Sequence, residues 1–292
     1  MPLHRIPADH RSRDFRQPED RPMREFVYSR PETLSDILDI LAGDPDARPL
    51  AGGMTLLPTM KQRLAGPSEL VDLAGIPLLS EIEEDEGELQ IGAMATHAAV
   101  AGNALVQSRL PGLSLLADGI GDVQVRNRGT IGGSIANNDP AADYPAAILA
   151  LDAVVVTDRR ELPADAFLTG LFETALEPGE LVLQVRIRTD QAFSYAKFRH
   201  PVSGYAMTGV AVAHGPRGWR VAVTGAGAGA FRMPDVEQQL LRDGSPEGID
   251  RLTFDLPELI SDFHAGADYR ANLVRVMTRR AVHALLGGQN AD

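Results

Sequence analysis

The sequence contains no cysteine, and its 292 residues include only 5% aromatic side chains and a single tryptophan. Without thiols, the chain can form no disulfide and offers no cysteine nucleophile, thiolate zinc site or iron–sulfur cluster of its own. Any electron transfer through this protein therefore requires another carrier.

Positive charge and long apolar runs are also scarce. The chain has 28 lysines and arginines against 40 acidic residues, which gives a formal net charge of -12 at pH 7. No dense basic tract lies beyond the N-terminal region, so nothing supplies a groove for a nucleic-acid backbone. No apolar run reaches the roughly 18 residues of a membrane span, and the N-terminus lacks the apolar segment of a secretory signal. We expect a cytoplasmic protein without a membrane span.

Glycine, by contrast, occurs in two similar pairs, in LAGGMTLL at residues 50–57 and in TIGGSIAN at residues 130–137. A Gly-Gly step adopts backbone angles closed to other residues, so successive N–H groups can converge on an anion that no Cβ obstructs. Either pair alone is more simply a tight turn. Because both have apolar flanks and a threonine within three positions, the two together predict one cradle for the pyrophosphate of an elongated ligand. Polar groups at residues 137–143 would add contacts to hydroxyls and amides.

Chain length and apolar periodicity predict an α+β protein with a tail and two domains. Residues 1–22 carry many charges and little periodicity, which is typical of a flexible N-terminal tail. The first domain is expected at residues 23–189, with subdomains at 23–77 and 78–189. The second, at residues 190–292, is expected to combine an antiparallel sheet with helices.

The same periodicity places individual elements within these domains. In the first domain we expect strands at 25–28, 48–51, 69–72, 79–82, 89–92, 153–157 and 181–187, and helices at 34–41, 55–64, 98–116 (broken at 111–112) and 144–151. An extended segment at 123–128 is expected to introduce the second glycine pair. In the second domain we expect strands at 194–198, 208–213 and 219–224, and helices at 234–241 and 269–286.

Other motifs are weaker. Residues 225–230, GAGAGA, match a dinucleotide fingerprint, but Pro234 opens the next helix and no parallel strand with a terminal acidic residue follows. We interpret this segment as a strand-to-helix connection. The chain has no P-loop, the seven histidines show no paired ligand spacing, and no Ser-His-Asp elbow is present, so no metal centre or catalytic side chain is predicted.

Two motifs carry a resemblance to a known family. The first is PLAGGMTLLP at residues 49–58, and the second is RNRGTIGGSIA at 126–136 followed by DPAAD at 139–143. With these motifs the chain resembles the FAD-binding medium subunit of molybdenum hydroxylases, the aerobic carbon monoxide dehydrogenase and xanthine dehydrogenase family. The resemblance covers residues 23–286. It implies a two-subdomain FAD-binding domain of the vanillyl-alcohol-oxidase or PCMH type, followed by a C-terminal α+β domain.

The resemblance also implies roles for particular residues. The FAD pyrophosphate and ribityl chain would contact Leu50, Ala51, Gly52, Gly53, Met54, Thr55, Leu56, Leu57, Thr130, Ile131, Gly132, Gly133 and Ser134. Asp143 would accept hydrogen bonds from the flavin side, Val182 and Lys197 would flank the isoalloxazine, and Tyr205 would lie against the ring. Met54 and Ser134 depart from the common pattern, although methionine is adaptable and serine keeps a donor and an acceptor.

Three of these roles have simpler alternatives. Asp143 could be the N-cap of a helix that starts at Tyr144. Lys197 could be a charge on a strand face, and Tyr205 could be a half-buried packing residue.

As a function, the resemblance implies that FAD on this subunit receives electrons from iron–sulfur clusters and passes them to an external acceptor. A small 2Fe-2S subunit would hold the clusters and a large subunit the molybdenum cofactor, in a heterotrimer or a dimer of heterotrimers. One alternative is a self-sufficient FAD-dependent oxidoreductase with its own substrate pocket. Another is a nonredox nucleotide-binding or assembly module, in which the glycine pairs are purely structural.

Overall fold

The computed structural model describes residues 24–289, and its first sheet is parallel. The strands are β1 (Val27–Ser29), β2 (Arg48–Leu50) and β3 (Glu69–Asp72), in the order β1-β3-β2. Helices α1 (Leu34–Gly43) and α2 (Leu56–Lys61) connect them. Thr33 caps α1 by accepting a hydrogen bond from the N–H of Asp36, and Ile37 and Leu41 on this helix are buried. The tail predicted for residues 1–22 lies outside the described residues.

The second sheet is antiparallel and five-stranded. Its strands are β4 (Ile82–Asp85), β5 (Glu88–Gly92), β6 (Val154–Thr157), β7 (Glu161–Pro163) and β10 (Val182–Arg188). They lie in the order β4-β5-β10-β6-β7. A separate small hairpin, β8 (Leu168–Gly170) and β9 (Glu173–Thr174), lies between β7 and β10 in the sequence. The helices within this stretch are α3 (His97–Gly102), α4 (Ala104–Arg109), α5 (Pro111–Asp118), α6 (Val123–Arg126), α7 (Ile131–Asn137), α8 (Asp143–Ala150) and α9 (Ala164–Phe167). Apolar side chains of the helices and the sheet form one core.

The third sheet is antiparallel and is buried on both faces. Its strands are β11 (Ala192–Arg199), β12 (Ala206–Gly215), β13 (Gly218–Thr224) and β14 (Phe231–Arg232), followed by helices α10 (Pro234–Asp243) and α11 (Ala267–Gln289). Because side chains alternate along a strand, Val210 and Val212 pack with α11 in one core, whereas Ala211 and Ala213 join the core of the second sheet. The third sheet therefore lies between the helices α10 and α11 on one face and the core of the second sheet on the other.

The α+β fold class is confirmed, and the three main sheets fall within the segments predicted for them; the domain boundaries themselves stay predictions. Some element predictions were wrong. Residues 77–80 form a short 3-10 helix, so β4 begins only at Ile82, and α2 ends at Lys61. The extended segment expected at 123–128 is helical, because the Asp122 carboxylate caps the N–H of Val125 and starts α6.

The GAGAGA segment connects β13 to the two-residue strand β14, which precedes α10. Gly225 has a φ of +80°, and a Cβ there would lie 2.3 Å from the carbonyl oxygen of Ala206, so glycine is required. The predicted strand-to-helix connection is thus interrupted by a short strand. Within residues 24–289, no helix combines the length and apolarity needed to cross a membrane.

Arg270 joins α11 to the third sheet, which gives a test of the fold. Its guanidinium is 4% exposed and donates to the carbonyls of Met207 (2.6 Å) and Gly225 (2.7 Å) and to Asp262 (2.6 Å). Arg270→Met removes three charge-assisted hydrogen bonds and leaves the buried Gly225 carbonyl without its side-chain donor, whereas the Met207 carbonyl keeps the Thr208 hydroxyl. We therefore expect a loss of about 3 kcal/mol in the free energy of unfolding. Urea denaturation of the purified chain measures it. The exposed Arg242→Met is the control, and equal losses in the two variants would contradict this role.

Candidate functional site

The first glycine pair lies where the chain leaves the parallel sheet and enters α2. Gly53 has a φ of +73°, which favours glycine, and its carbonyl accepts the N–H of Leu57 at 3.1 Å. Within the described chain, the N–H groups of residues 52–56 have no protein acceptor. Thr55, in the N-cap position of α2, makes no side-chain capping bond. Unpaired N–H groups at the start of a helix carry partial positive charge and favour an anion.

The structure brings the two glycine pairs together. A Cβ on Gly52 would lie only 1.9 Å from the carbonyl oxygen of Arg128 and 2.8 Å from the Cα of Gly129. A Cβ on Gly133 would lie 3.6 Å from the Cβ of Ala51. Residues 50–57 and 128–134 therefore form one continuous surface, which we call the glycine junction.

The second pair differs from its prediction, because it lies in the first turn of α7 and its N–H groups are already used. Thr130 caps the helix by accepting the N–H of Gly133 at 3.1 Å. Ile131 and Gly132 donate to the carbonyls of Ala95 (3.1 Å) and Ala93 (2.9 Å). These N–H groups do not converge on an anion. Gly132 instead permits close packing, since a Cβ there would lie 2.5 Å from that of Ala93. Ser134 remains at the junction, half-buried.

Asp143 and Lys197 form a buried ion pair at the other end of α7. The Lys197 Nζ atom lies 3.0 Å from the Asp143 carboxylate, and the side chains are 8% and 3% exposed. Tyr195 donates a 2.5 Å hydrogen bond to Asp143 Oδ1. Asp143 is the first residue of α8, and Ala142 occupies the cap position, so the N-cap alternative was wrong.

Both members of the ion pair have further protein partners. Both Asp143 oxygens have protein donors, and Lys197 also donates to the carbonyls of Gly119 (3.0 Å) and Gly204 (3.3 Å). The roles expected of these two side chains toward a flavin stay predictions. Burial raises the pKa of Asp143, and the Lys197 charge and the Tyr195 hydrogen bond oppose that rise. Burial and the Asp143 charge raise the pKa of Tyr195 well above its usual value, so the phenol stays protonated and remains a donor.

Tyr205 is the exposed aromatic residue beside this pair. It follows Gly204, whose φ is +73°, in a turn closed by a 2.8 Å hydrogen bond from the His200 N–H to the Tyr205 carbonyl. Its side chain is 45% exposed. Burial and the charges of Asp139 and Asp143 raise the pKa of its phenol. Tyr205 thus leaves part of its ring exposed, and its expected contact with a flavin stays a prediction.

Val182 is the first residue of β10. It is 4% exposed and belongs to the core of the second sheet, and its expected place beside a flavin ring stays a prediction. Its neighbours Leu181 and Leu183 pack in a different core, with residues of α1 and β3, because side chains alternate along the chain in an extended segment.

Sequence reasoning missed Tyr195 and Gly119. Tyr195 precedes Lys197 by two residues on β11 and so shares its face, a period-two signal that was available. Gly119 contributes a backbone carbonyl, for which the sequence carries no signal. Arg199 donates to that carbonyl as well.

His97 is a buried titratable group behind the glycine junction. It is 5% exposed, its Nδ1 atom has no hydrogen-bond partner in the described chain, and its Nε2 atom would lie 2.6 Å from a Cβ on Gly129. Burial, helped by the charge of Arg126, lowers the pKa of His97 to about 4.

Comparison with known proteins agrees with this geometry. The family described as the FAD binding domain in molybdopterin dehydrogenase matches residues 23–188, and the chain belongs to it. The chain is 34% identical to the nicotine 6-hydroxylase medium subunit of Paenarthrobacter nicotinovorans, over 87% of this chain and 95% of the relative. It is also 34% identical to the carbon monoxide dehydrogenase medium chain of Hydrogenophaga pseudoflava, over 89% of this chain and 96% of the relative.

Solved structures show the same relationship. Carbon monoxide dehydrogenase from Hydrogenophaga pseudoflava superposes with a TM-score of 0.84 at 33% identity, over 91% of this chain and 99% of that chain. Quinoline 2-oxidoreductase from Pseudomonas putida 86 gives 0.84 at 28% identity, over 92% and 99%. The protein is accordingly an FAD-binding medium subunit of a molybdenum hydroxylase, an oxidoreductase subunit whose cofactor is FAD.

His97 predicts how stability depends on pH. Its pKa is about 4 in the fold and near 6.5 in an unfolded chain, so the unfolded state binds the proton more readily. His97 therefore costs no stability above the unfolded pKa, and its cost grows as the pH falls toward 4, up to about 3 kcal/mol. In His97→Gln this fall should be absent, which unfolding curves at several pH values measure. Equal pH slopes for wild type and variant would contradict the assignment.

Proposed function

We propose that this medium subunit accepts electrons from iron–sulfur clusters of a small partner subunit and delivers them to an external acceptor. When bound, FAD supplies the conversion between one-electron and two-electron transfer. The chain itself has no cysteine to hold such clusters. Its residues bind and orient the cofactor, and no side chain is assigned to chemistry.

The observation that carries this proposal is the glycine junction. Residues 52–56 present unpaired N–H groups next to Gly52, Gly53 and Gly133, which carry no Cβ, and this arrangement suits a negatively charged pyrophosphate. Among residues 24–289, the hydroxyls of Thr55 and Ser134 have no protein partner, and they can donate to phosphate or ribityl oxygens. FAD thus fits the groups present, with residues 50–57 as the main contact and residues 130–134 as the facing wall.

The flavin ring is proposed to lie at the Tyr205 end of the site. Helix α7 runs from the glycine junction toward the residues before Asp143, a length of about 10 Å at the usual rise per residue. At that end, Thr224 anchors the chain by donating to the carbonyls of Pro140 (2.9 Å) and Ala142 (2.7 Å). The exposed Tyr205 ring is the surface available for contact with an isoalloxazine.

The partners follow from the relatives. Those relatives are named medium subunits or chains of multi-subunit dehydrogenases and hydroxylases. We propose a large subunit with the molybdenum cofactor and a small 2Fe-2S subunit, assembled as a heterotrimer or as two heterotrimers. The oxidised substrate would be selected by the large subunit.

The geometry favours this relay over a self-sufficient oxidoreductase, which would need an acid or base at the ring. Asp143 and Lys197 neutralise each other. The Tyr205 phenol has a raised pKa and stays protonated. Asp139 has a pKa raised by burial, but its carboxylate accepts the N–H of Ala141 at 2.9 Å and so holds the local turn.

Isolated and assembled forms of the protein test the relay. Because substrate oxidation is assigned to the large subunit, organic substrates of the complex should bleach the flavin absorption only when the partner subunits are present. Anaerobic spectrophotometry of the complex and of the isolated medium subunit measures this. Bleaching of the isolated subunit by an organic substrate would establish the self-sufficient enzyme instead, and a chain that never shows flavin absorption would be the nonredox module.

Gly133 tests the glycine junction. A Cβ there meets Thr130 Oγ1 at 3.0 Å and Ala51 Cβ at 3.6 Å, so Gly133→Val needs a shift of only a few tenths of an ångström at Thr130, while its methyl groups enter the proposed pyrophosphate site. We expect at least about a tenfold loss of FAD affinity, equivalent to about 1.4 kcal/mol, with the fold retained. Flavin content and circular dichroism measure both.

The control for this substitution is Gly102→Val, because Gly102 ends α3 and a Cβ there meets nothing within 4 Å. Gly53→Val is a poorer test, since its φ of +73° adds backbone strain. Stoichiometric FAD in folded Gly133→Val would refute the assignment of the junction.

A further inference from the structure

Tyr195 is a half-buried residue whose phenol donates to Asp143, and it has no part in the cofactor contacts described above. In the register of β11 and β12, Tyr195 pairs with Ala211 and Lys197 pairs with Gly209. Tyr195 and Lys197 therefore project from the same face of the sheet, toward Asp143. The neighbouring Ser194 points the other way, to the carbonyl of Ala281 on α11.

Gly209 leaves the space that this phenol occupies. A Cβ at residue 209 would lie 2.1 Å from the Tyr195 hydroxyl oxygen and 2.7 Å from the ring carbon that bears it. Gly209 does not have a positive φ, so its backbone conformation does not require glycine. The missing side chain is needed because the phenol must pass Gly209 to reach Asp143.

The hydroxyl is one of two donors that hold the Asp143 carboxylate, and Lys197 is the other. Lys197 in turn donates to Gly119 and Gly204, which belong to two separate turns. These turns are neighbours, since a Cβ on Gly204 would lie 3.8 Å from the Cα of Gly121. Tyr205 follows Gly204 directly. A continuous set of hydrogen bonds thus connects the Tyr195 hydroxyl to the turn that carries Tyr205.

We propose that Tyr195 is a positioning residue of the flavin-ring site. It fixes the Asp143 carboxylate, and through it the Lys197 ammonium, which holds the turn of Tyr205 in place. This inference rests on the proposed function, because Tyr205 matters here as the ring contact. Tyr195 itself touches neither cofactor nor acceptor.

Removal of the Tyr195 hydroxyl should shift the pKa of Asp143 in one direction. In the native fold the Tyr195 hydrogen bond lowers the pKa of Asp143, so its removal should let Asp143 take up a proton at higher pH and release Lys197. The charged and titratable groups that face Asp143 are Lys197 and Arg199 on β11, Tyr195, Tyr205 and, next in sequence, Tyr144. Tyr144 and Tyr195 stay protonated through the acid range, since burial raises the pKa of each.

Tyr195→Phe in the assembled complex tests the inference, and Tyr144→Phe is the matched control. Tyr144 is fully buried, whereas Tyr195 is half-buried, and it lies next to Asp143, but its hydroxyl has no hydrogen-bond partner within the described chain. The readout is the visible circular dichroism of bound flavin, followed against pH. We expect Tyr195→Phe to keep FAD and to move the acid midpoint upward by about one pH unit, a tenfold change in proton affinity. Tyr144→Phe should leave the midpoint unchanged.

A fluorinated tyrosine at position 195 should shift the acid midpoint in the opposite direction. It keeps the hydroxyl and the packing but is a stronger donor, so the acid midpoint should move downward. Shifts in opposite directions support the inference. Equal midpoints in wild type, Tyr195→Phe and the fluorinated protein would overturn it, as would a Tyr144→Phe shift as large as that of Tyr195→Phe. Wild-type complex without bound FAD would overturn the proposed function, and this inference with it.

Discussion

The two glycine segments contact each other through backbone atoms, with no side chain between them. Any side chain at residue 52 would overlap the carbonyl of Arg128, so the first and second subdomains can meet at this distance only through glycine. The contact places the unpaired N–H groups of residues 52–56 next to the first turn of α7. Everything proposed for the cofactor depends on this approach, because neither segment alone encloses a ligand.

The backbone N–H groups of the two segments are used differently. In the first, the N–H groups are left without acceptors, so that segment can hold an anion. In the second, Thr130, Ala93 and Ala95 take up the N–H groups, and the glycines serve close packing. One side of the proposed binding surface therefore has N–H groups without acceptors, whereas the N–H groups of the other side are already hydrogen-bonded. Because the second segment is already held in this way, a ligand has fewer groups to order when it binds.

The sequence predicted that the two glycine motifs lie together in one site. It did not predict which of their backbone N–H groups are free and which are hydrogen-bonded. Periodicity correctly indicated the α+β class, α1, β3 and three strands of the third sheet (β11, β12 and β13), because these elements have clear apolar faces, but it did not indicate β14. It failed at 123–128, where the Asp122 cap overrides the extended appearance. The burial of Val182 was not predicted either, because a resemblance transfers a position without its strand face, and the tertiary register decides that face.

The buried pair of Asp143 and Lys197 shows why resemblance alone was insufficient at the ring end. Burying two charges is costly unless every donor and acceptor finds a partner. Here Tyr195, Gly119 and Gly204 supply those partners, and two of the three are backbone carbonyls that no sequence motif records. A lysine used fully in this way stabilises turns rather than a ligand. In the proposal made above, the Lys197 ammonium affects the flavin site only through the position of Tyr205. The geometry of one turn would then be the means by which Tyr195, which touches no cofactor, influences it.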